Sequence, residues 1–314
     1  MILLTGITGK SGSWLVRRLA TEQAQGHFTE PLRAVARPGA NTAVLEETGL
    51  DCAVLRGDLS SPAFVRDAMQ GVRTVLHTAN ICFSETIVQA ALDAGVGRII
   101  LVHTTGIYSK YKSASAGYLE IERNIRAMVE GRGVSLVILR PTMVYGTLQD
   151  GNVSVFIRMV DRLKLFPVVN GGKYPLQPVY ARDLGNAYYE VLAHPEKTAE
   201  AEYILSGGAP ILLVDMLRTI GKYLGKRTWF IPVPYPIAYG GACVLYWLTL
   251  GRKDYRERVQ RLVEPRAYPH DAATRDFGYD PVPFEIGVQN EIALFLESTG
   301  RSMCGQDPAA TPDN

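Results

Sequence analysis

The chain has 314 residues, 47% hydrophobic and 20% charged, with 33 Lys and Arg against 31 Asp and Glu for a net charge of +2. Such a length and apolar content exclude a disordered polypeptide and suffice for a large core with a smaller lobe beside it, while the near-balanced charge excludes a nucleic-acid footprint. The four cysteines, at 52, 82, 243 and 304, lack metal-ligand spacing and the five histidines do not cluster, so the expectation is a metal-free protein of the reducing cytoplasm. Because an apolar strand pattern starts at Ile2, no signal peptide is expected.

The first strand pattern, Ile2–Thr5, breaks into Gly6-Ile7-Thr8-Gly9-Lys10-Ser11-Gly12 and resumes as an amphipathic helix over Trp14–Glu22. A strand, a glycine-rich turn and a helix in that order make a dinucleotide-binding turn, because a pyrophosphate has to approach bare backbone N–H groups at a helix N-terminus. Gly6 is expected to take a positive φ, Gly9 to admit the phosphates, and Gly12 to let the helix pack on the strand.

Further strands are read at Leu32–Arg37, Cys52–Arg56, Thr74–Thr78, Ile99–His103 and Leu136–Arg140, with helical patterns at Ala63–Met69, Glu85–Ala94 and Glu120–Gly131 between them. This alternation predicts an α/β fold with a doubly wound parallel sheet of the Rossmann type, whose ligands bind at the carboxyl ends of the strands. Beyond Gly146 the alternation becomes irregular. The predicted layout is a nucleotide domain over 1–146 plus about 177–205, a smaller C-terminal substrate lobe over 147–176 and 206–299 that closes on it, and a disordered tail over 300–314.

The second strand ends in Arg37-Pro38-Gly39, without the acid that holds both ribose hydroxyls of NAD. A guanidinium there suits a 2′-phosphate, and Lys10 adds a second cation, so NADP is the preferred cofactor with NAD as the other option. The plainer reading is that Arg37 caps a solvated loop.

The Gly-x-x-Gly-x-x-Gly spacing after Thr5 resembles the short-chain dehydrogenase/reductase superfamily, in particular its extended and atypical members related to nucleotide-sugar epimerases. Further pieces recur in family order: Gly57-Asp58-Leu59, His77-Thr78-Ala79-Asn80, His103-Thr104-Thr105, Arg140 to Gly146, and Gln177 to Leu184. The resemblance implies that Asp58 holds the adenine amino group with Leu59 packed on the ring, and that the backbone of Thr78, Ala79 and Asn80 lines the adenosine ribose. It also counts Thr5, Thr8, Ser11, Pro141 and Thr142 with the cofactor site. Asp58 as a helix cap is the other reading, although Ser60 or Ser61 fits that task better.

Family catalysis uses Tyr-x-x-x-Lys on the helix after the fifth strand, with a Ser or Thr at that strand's end, the position of Thr104 and Thr105. A literal match, Tyr108 to Lys112, comes too early for the helix. Counting back from Arg140-Pro141 puts Tyr118 at the lysine position and Ala114 at the tyrosine position, with Glu122 matching a glutamate that follows by four. In that register the dyad is missing, and Tyr108, Lys112 or Tyr118 has to serve by another geometry or pack structurally. The loop Ile81–Ser84 is also shorter than in sugar-nucleotide epimerases, as in atypical members that bind NADP.

The resemblance implies oxidation, reduction or C4 epimerisation at a carbohydrate-like hydroxyl or ketone of a nucleotide- or lipid-linked sugar. The alternative is a catalytically silent NADP-binding sensor or assembly protein. Residues Trp229–Leu250 are uncharged and flanked by Lys226-Arg227 and Arg252-Lys253, but prolines at 232, 234 and 236 leave too short a helix to span a bilayer. The expectation is a buried helix, with a peripheral membrane contact through 229–258 as the alternative.

Overall fold

The computed structural model describes residues 1–111 and 115–302. In chain order the elements begin with β1 (Ile2–Thr5), α1 (Gly12–Ala24), β2 (Leu32–Ala36), α2 (Ala43–Thr48), β3 (Ala53–Arg56), α3 (Pro62–Ala68), β4 (Thr74–His77) and α4 (Ser84–Asp93). Next come β5 (Arg98–Val102), α5 (Ser115–Val129), β6 (Ser135–Pro141), β7 (Val144–Tyr145), α6 (Val153–Arg162), β8 (Leu165–Val169), β9 (Pro175–Leu176), β10 (Val179–Tyr180), α7 (Ala181–Ala193) and β11 (Glu202–Leu205). The remainder is β12 (Ile211–Leu212), α8 (Leu213–Tyr223), β13 (Trp229–Val233), α9 (Tyr235–Leu248), α10 (Arg256–Arg261), α11 (Asp271–Phe277) and α12 (Phe284–Ser298).

These elements form two compact units, one of Met1–Thr142, Ala181–Ser206 and Tyr268–Asp280, the other of Met143–Tyr180, Gly207–Ala267 and the described residues from Pro281 onward. Segment 268–280, expected in the substrate lobe, belongs to the first unit for a visible reason. The Tyr279 hydroxyl donates to the Ser206 carbonyl at 2.9 Å, and Phe277 packs edge-on against Tyr203 of β11.

The first unit is built on a seven-stranded sheet of order β11-β6-β5-β4-β1-β2-β3, parallel throughout. This is the Rossmann-type α/β architecture. Its central strands β1, β4 and β5 are almost wholly buried, as apolar runs covered on both faces by helices require. In register, Thr5 of β1 stands beside Val35 of β2 and His77 of β4, so the carboxyl ends of these strands lie level. The order reverses between β1 and β4, the switch point where such sheets open a crevice. Strand β11, Glu-Tyr-Ile-Leu, is not among the predicted strands; it follows the part of the chain where the alternation of strand and helix patterns becomes irregular. Helices α1 and α7 pack so closely that a Cβ on Gly185 would lie 2.5 Å from the Trp14 Cβ, which explains glycine in the middle of α7.

The second unit has its own apolar core, in which Ile157 and Val160 of α6, Met216, Leu217 and Ile220 of α8, and Val288 and Ile292 of α12 interleave. Within it lies a buried acid, Glu291, which accepts the Gly146 N–H at 2.9 Å. Burial first, then the charge of Asp150 and a bond to it, push the Glu291 carboxyl up to about 9.

Helix α9 overturns the buried-helix expectation, since Ala242 is its one buried residue and Trp247 is 75% exposed. No helix among the described residues is long and apolar enough to cross a membrane. Of the tail expected to be disordered, 303–314 lies outside the described residues, while Arg301 meets Asp161 with two bonds of 2.8 and 3.1 Å.

Glu291 gives a pH dependence whose sign is fixed. Its folded pKa lies above the unfolded one, so its contribution is present below about 4.5 and is lost as pH rises towards about 9, at about 1.4 kcal/mol per unit at most. Glu291→Gln keeps an oxygen for Gly146 and does not titrate, so thermal melts of the variant should lose the decline between these limits. Parallel Tm–pH curves for the two proteins would contradict a protonated Glu291.

Candidate functional site

The turn after β1 is built as a cradle. Gly6 has φ 75° and packs against the end of β4, where a Cβ would lie 2.6 Å from the Ala79 N and the Thr78 Oγ1. A Cβ on Gly12 would fall 2.1 Å from the Gly6 carbonyl oxygen, so that residue closes α1 onto the strand. At Gly9 a Cβ meets nothing within 4 Å except the Gly6 oxygen at 3.0 Å, and Thr8, Gly9 and Lys10 are exposed. The space beside Gly9, at the entry to α1, is therefore one that a side chain there would fill, while the Ser13 N–H already donates to the Gly9 carbonyl at 3.0 Å. These residues fit a pyrophosphate.

Several polar side chains around this turn hold the frame. Thr5 is 1% exposed and its hydroxyl lies 2.7 Å from His77 Nδ1, while His77 Nε2 reaches the Asn80 carbonyl at 3.3 Å. A carbonyl only accepts, so Nε2 carries the proton and Nδ1 accepts from Thr5. Burial pushes the His77 pKa down to about 4, and the ring stays neutral. Thr78 donates its hydroxyl to the Thr5 carbonyl at 2.7 Å, Asn80 accepts from the Cys82 N–H at 2.9 Å, and the Ser11 hydroxyl meets the buried Tyr188 hydroxyl at 3.3 Å. The side chains of Thr5, Thr78, Asn80 and Ser11 are thus engaged within the protein. Ala79 brings no polar side chain, and its contribution is backbone.

Arg37 and Asp58 follow β2 and β3, adjacent strands. The Asp58 carboxylate is lowered by the Ser60 backbone and side-chain bonds and, less, by the Arg37 charge, so the two side chains stand in each other's field. Ser61, not Asp58, caps α3 by accepting the Phe64 N–H. Leu59 is 7% exposed within the apolar cluster of β1, α3 and α4, so its side chain supports the strand end rather than offering an open face to a base. Arg56, unremarked in the sequence, donates to the Ala40 carbonyl at 3.1 Å and to Thr42 Oγ1 at 2.9 Å, bracing the loop that carries Arg37.

At the end of β5 the two threonines differ. Thr105 is buried and donates to the Pro141 carbonyl at 3.2 Å, whereas Thr104 is half-buried and accepts the Gly106 N–H at 3.0 Å, leaving its own proton to give. Thr142 at the end of β6 donates its N–H to the Leu205 carbonyl at 3.1 Å. Tyr108 is 47% exposed, with its ring centroid 5.6 Å from that of Tyr268 and 5.9 Å from the Arg140 guanidinium carbon. Tyr118 lies half-buried in the first turn of α5, and Lys112 lies outside the described residues.

Beneath this edge runs a charged chain that sequence reasoning saw only as separate motif letters. His103 Nδ1 donates to Glu122 at 2.9 Å and its Nε2 meets the Ser84 hydroxyl at 3.1 Å; Glu122 takes two bonds from Arg140, which also reaches Glu202 at 2.8 Å. Arg126 pairs with Glu202 as well. Burial works against the Glu122 charge, but His103 and Arg140 hold its carboxyl at about 2. The available signal was an arginine inside the apolar run Leu-Val-Ile-Leu-Arg-Pro, which demands an acid from elsewhere.

A family model described as NAD(P)H-binding matches residues 6–164, and the chain belongs to that family. Its first unit is an NAD(P)H-binding domain of the epimerase, dehydratase and short-chain-dehydrogenase superfamily. The chain is 22% identical over 269 residues to a UDP-glucose 4-epimerase of Vibrio cholerae, covering 74% of this chain and 78% of that one. To a 2-alkyl-3-oxoalkanoate reductase of Stenotrophomonas maltophilia it is 23% identical over an alignment of 333 residues, covering 92% and 97%. A solved dTDP-glucose 4,6-dehydratase of Streptomyces venezuelae, with NAD bound, shares the fold with a TM-score of 0.72 at 19% identity, over 96% of this chain and 98% of that one.

The three glycines differ in what a side chain meets, so Gly9→Val should fold, shown by an unchanged circular dichroism spectrum, and bind no dinucleotide in calorimetry. Undiminished binding by the folded variant would mean that the turn does not cradle phosphates.

Proposed function

We propose that the protein is an NADP(H)-dependent oxidoreductase acting at a carbohydrate-like hydroxyl or ketone of a small molecule, with nucleotide- or lipid-linked sugars as the substrate class. The observation that carries this reading is Thr104, whose half-buried hydroxyl at the end of β5 keeps a proton to donate. A nicotinamide, when bound, supplies or takes the hydride. The chain's own part is the proton: Thr104 donates a hydrogen bond to the substrate oxygen, and Tyr108, four residues on and exposed, gives that oxygen one proton when a hydride is added and takes one when a hydride is removed. Tyr118 is the other candidate, and Gly6, Gly9, Gly12, Lys10, Arg37 and Asp58 hold the dinucleotide. NADP is favoured over NAD by the guanidinium of Arg37 where an acid would select the unphosphorylated ribose. A second reading, a silent NADP-binding sensor, is favoured by one feature: Tyr118 occupies the register of the family lysine.

Arg37→Ala should weaken NADPH roughly tenfold or more, as loss of a charge-assisted bond does, and leave NADH nearly unchanged in calorimetry. Equal affinity of the unaltered protein for both cofactors would remove the NADP assignment.

Thr104→Val and Tyr108→Phe should each lower kcat by about 10²–10⁴-fold with cofactor affinity kept, the range of general acid–base assistance, while Tyr118→Phe and Thr105→Val should not. A fall with Tyr118→Phe instead would move the proton to α5. If a panel of ketones and nucleotide sugars is never turned over while NADPH binds, the silent reading replaces this one.

A further inference from the structure

The second unit carries an apolar surface that its own core does not use. Helix α9 is apolar around its whole circumference, yet Ile237, Val244, Trp247 and Leu248 are exposed on it, and Trp229 and Ile231 are exposed on the preceding β13. Just past the helix Leu250 takes φ 49°, a left-handed conformation costly for leucine, and its side chain is 88% exposed. Exposed apolar residues scattered singly mean little, but Ile237, Val244, Trp247 and Leu248 are all exposed on one 14-residue helix, a density that marks an interface.

The charge around the patch says what covers it. From Met216 to Lys253 the sequence contains no Asp or Glu, while Lys226 and Arg227 stand just before Trp229 and Arg252 and Lys253 just after Leu250. Arg218 and Lys222 are neutralised by Asp215 and Glu285, whereas Arg227, Arg252 and Lys253 make no ion pair among the described residues. Unpaired cations thus bracket both ends of an uncharged apolar stretch. Tyrosines line it as well: Tyr235 stacks on Tyr239 at 5.7 Å, and the Arg256 guanidinium lies 3.9 Å from the Tyr246 ring.

A second copy of the chain would set these cations against their own like. A layer with anionic headgroups over hydrocarbon complements both parts of the pattern, since tryptophan and tyrosine favour the interface and arginine and lysine the headgroups. The 14 residues of α9 rise only about 21 Å, short of the roughly 30 Å hydrocarbon core, so the helix lies along the surface rather than across it. We infer that β13 and α9 form a docking surface for a membrane carrying anionic lipid. This stands apart from the oxidoreductase reading, since it uses none of the residues placed there.

The test is sedimentation of the full-length protein with vesicles of phosphatidylcholine alone and of phosphatidylcholine with phosphatidylglycerol. At low salt the mixed vesicles should bind at least about tenfold more protein than the neutral ones, and the excess should fall as salt rises. Trp247→Ser with Leu250→Ser should lose that binding, and because both side chains are exposed the melting temperature and NADPH affinity should stay as they were. Failure to sediment with either vesicle overturns the inference. So does a wild-type dimer that the double variant converts to monomer without any vesicle binding, which would assign the patch to a second copy.

Discussion

A guanidinium buried at the carboxyl end of β6 sets the terms for the sheet edge around it. The Arg140 side chain is 3% exposed, and arginine cannot shed its proton to escape burial. Its charge has to be met, and Glu122 of α5 meets it with two bonds while Glu202 of β11 adds a third. Glu122, itself buried, then needs the Nδ1 proton of His103 from the end of β5. One ion therefore ties β5, β6, β11 and α5 together, and removing its acid would leave an uncompensated charge at a cost of about 3–5 kcal/mol. Thr104 follows His103 directly, so the same network fixes the strand end that carries the candidate hydroxyl.

The other half of the edge is held by neutral groups. His77, kept uncharged by burial, bridges Thr5 of β1 to the turn after β4, and Thr78 returns a bond to β1. With these side chains engaged, what is exposed after β1 is the run Thr8-Gly9-Lys10 that leads into α1. Arg37 and Asp58 stand open at the ends of the next two strands. On the proposed reading, backbone groups and two opposite charges do the binding, and the buried hydroxyls supply rigidity. A neutral ring with a pKa near 4 does not change state at physiological pH, so this frame is constant there.

The central strands were legible because each is a short apolar run set between helical periods, and the observed β1 to β6 fall within a residue or two of the runs read. The glycine turn was legible for a steric reason, since the tasks assigned to Gly6 and Gly12 leave a trace in residue type. What could not be read was pairing across long sequence distances. Neither the His103–Glu122–Arg140 chain nor the Thr5–His77 bond has a local pattern, and each partner looks ordinary alone. Strand β11 follows the part of the chain where the alternation becomes irregular. Helix α9 misled for a different reason: uniform apolarity normally means a buried helix, and periodicity carries no information about which apolar helix lacks neighbours.

The departure at Tyr118 acquires a physical consequence once the network is in view. Arg140 lies near Tyr108, but two carboxylates hold it and it has no accessible neutral form, so it cannot carry a proton as an ammonium can. Tyr118 precedes Glu122 by one helical turn, on the face where the family lysine would stand. On the proposed reading, the proton is carried by the hydroxyls of Thr104 and Tyr108, with Tyr118 as the other candidate.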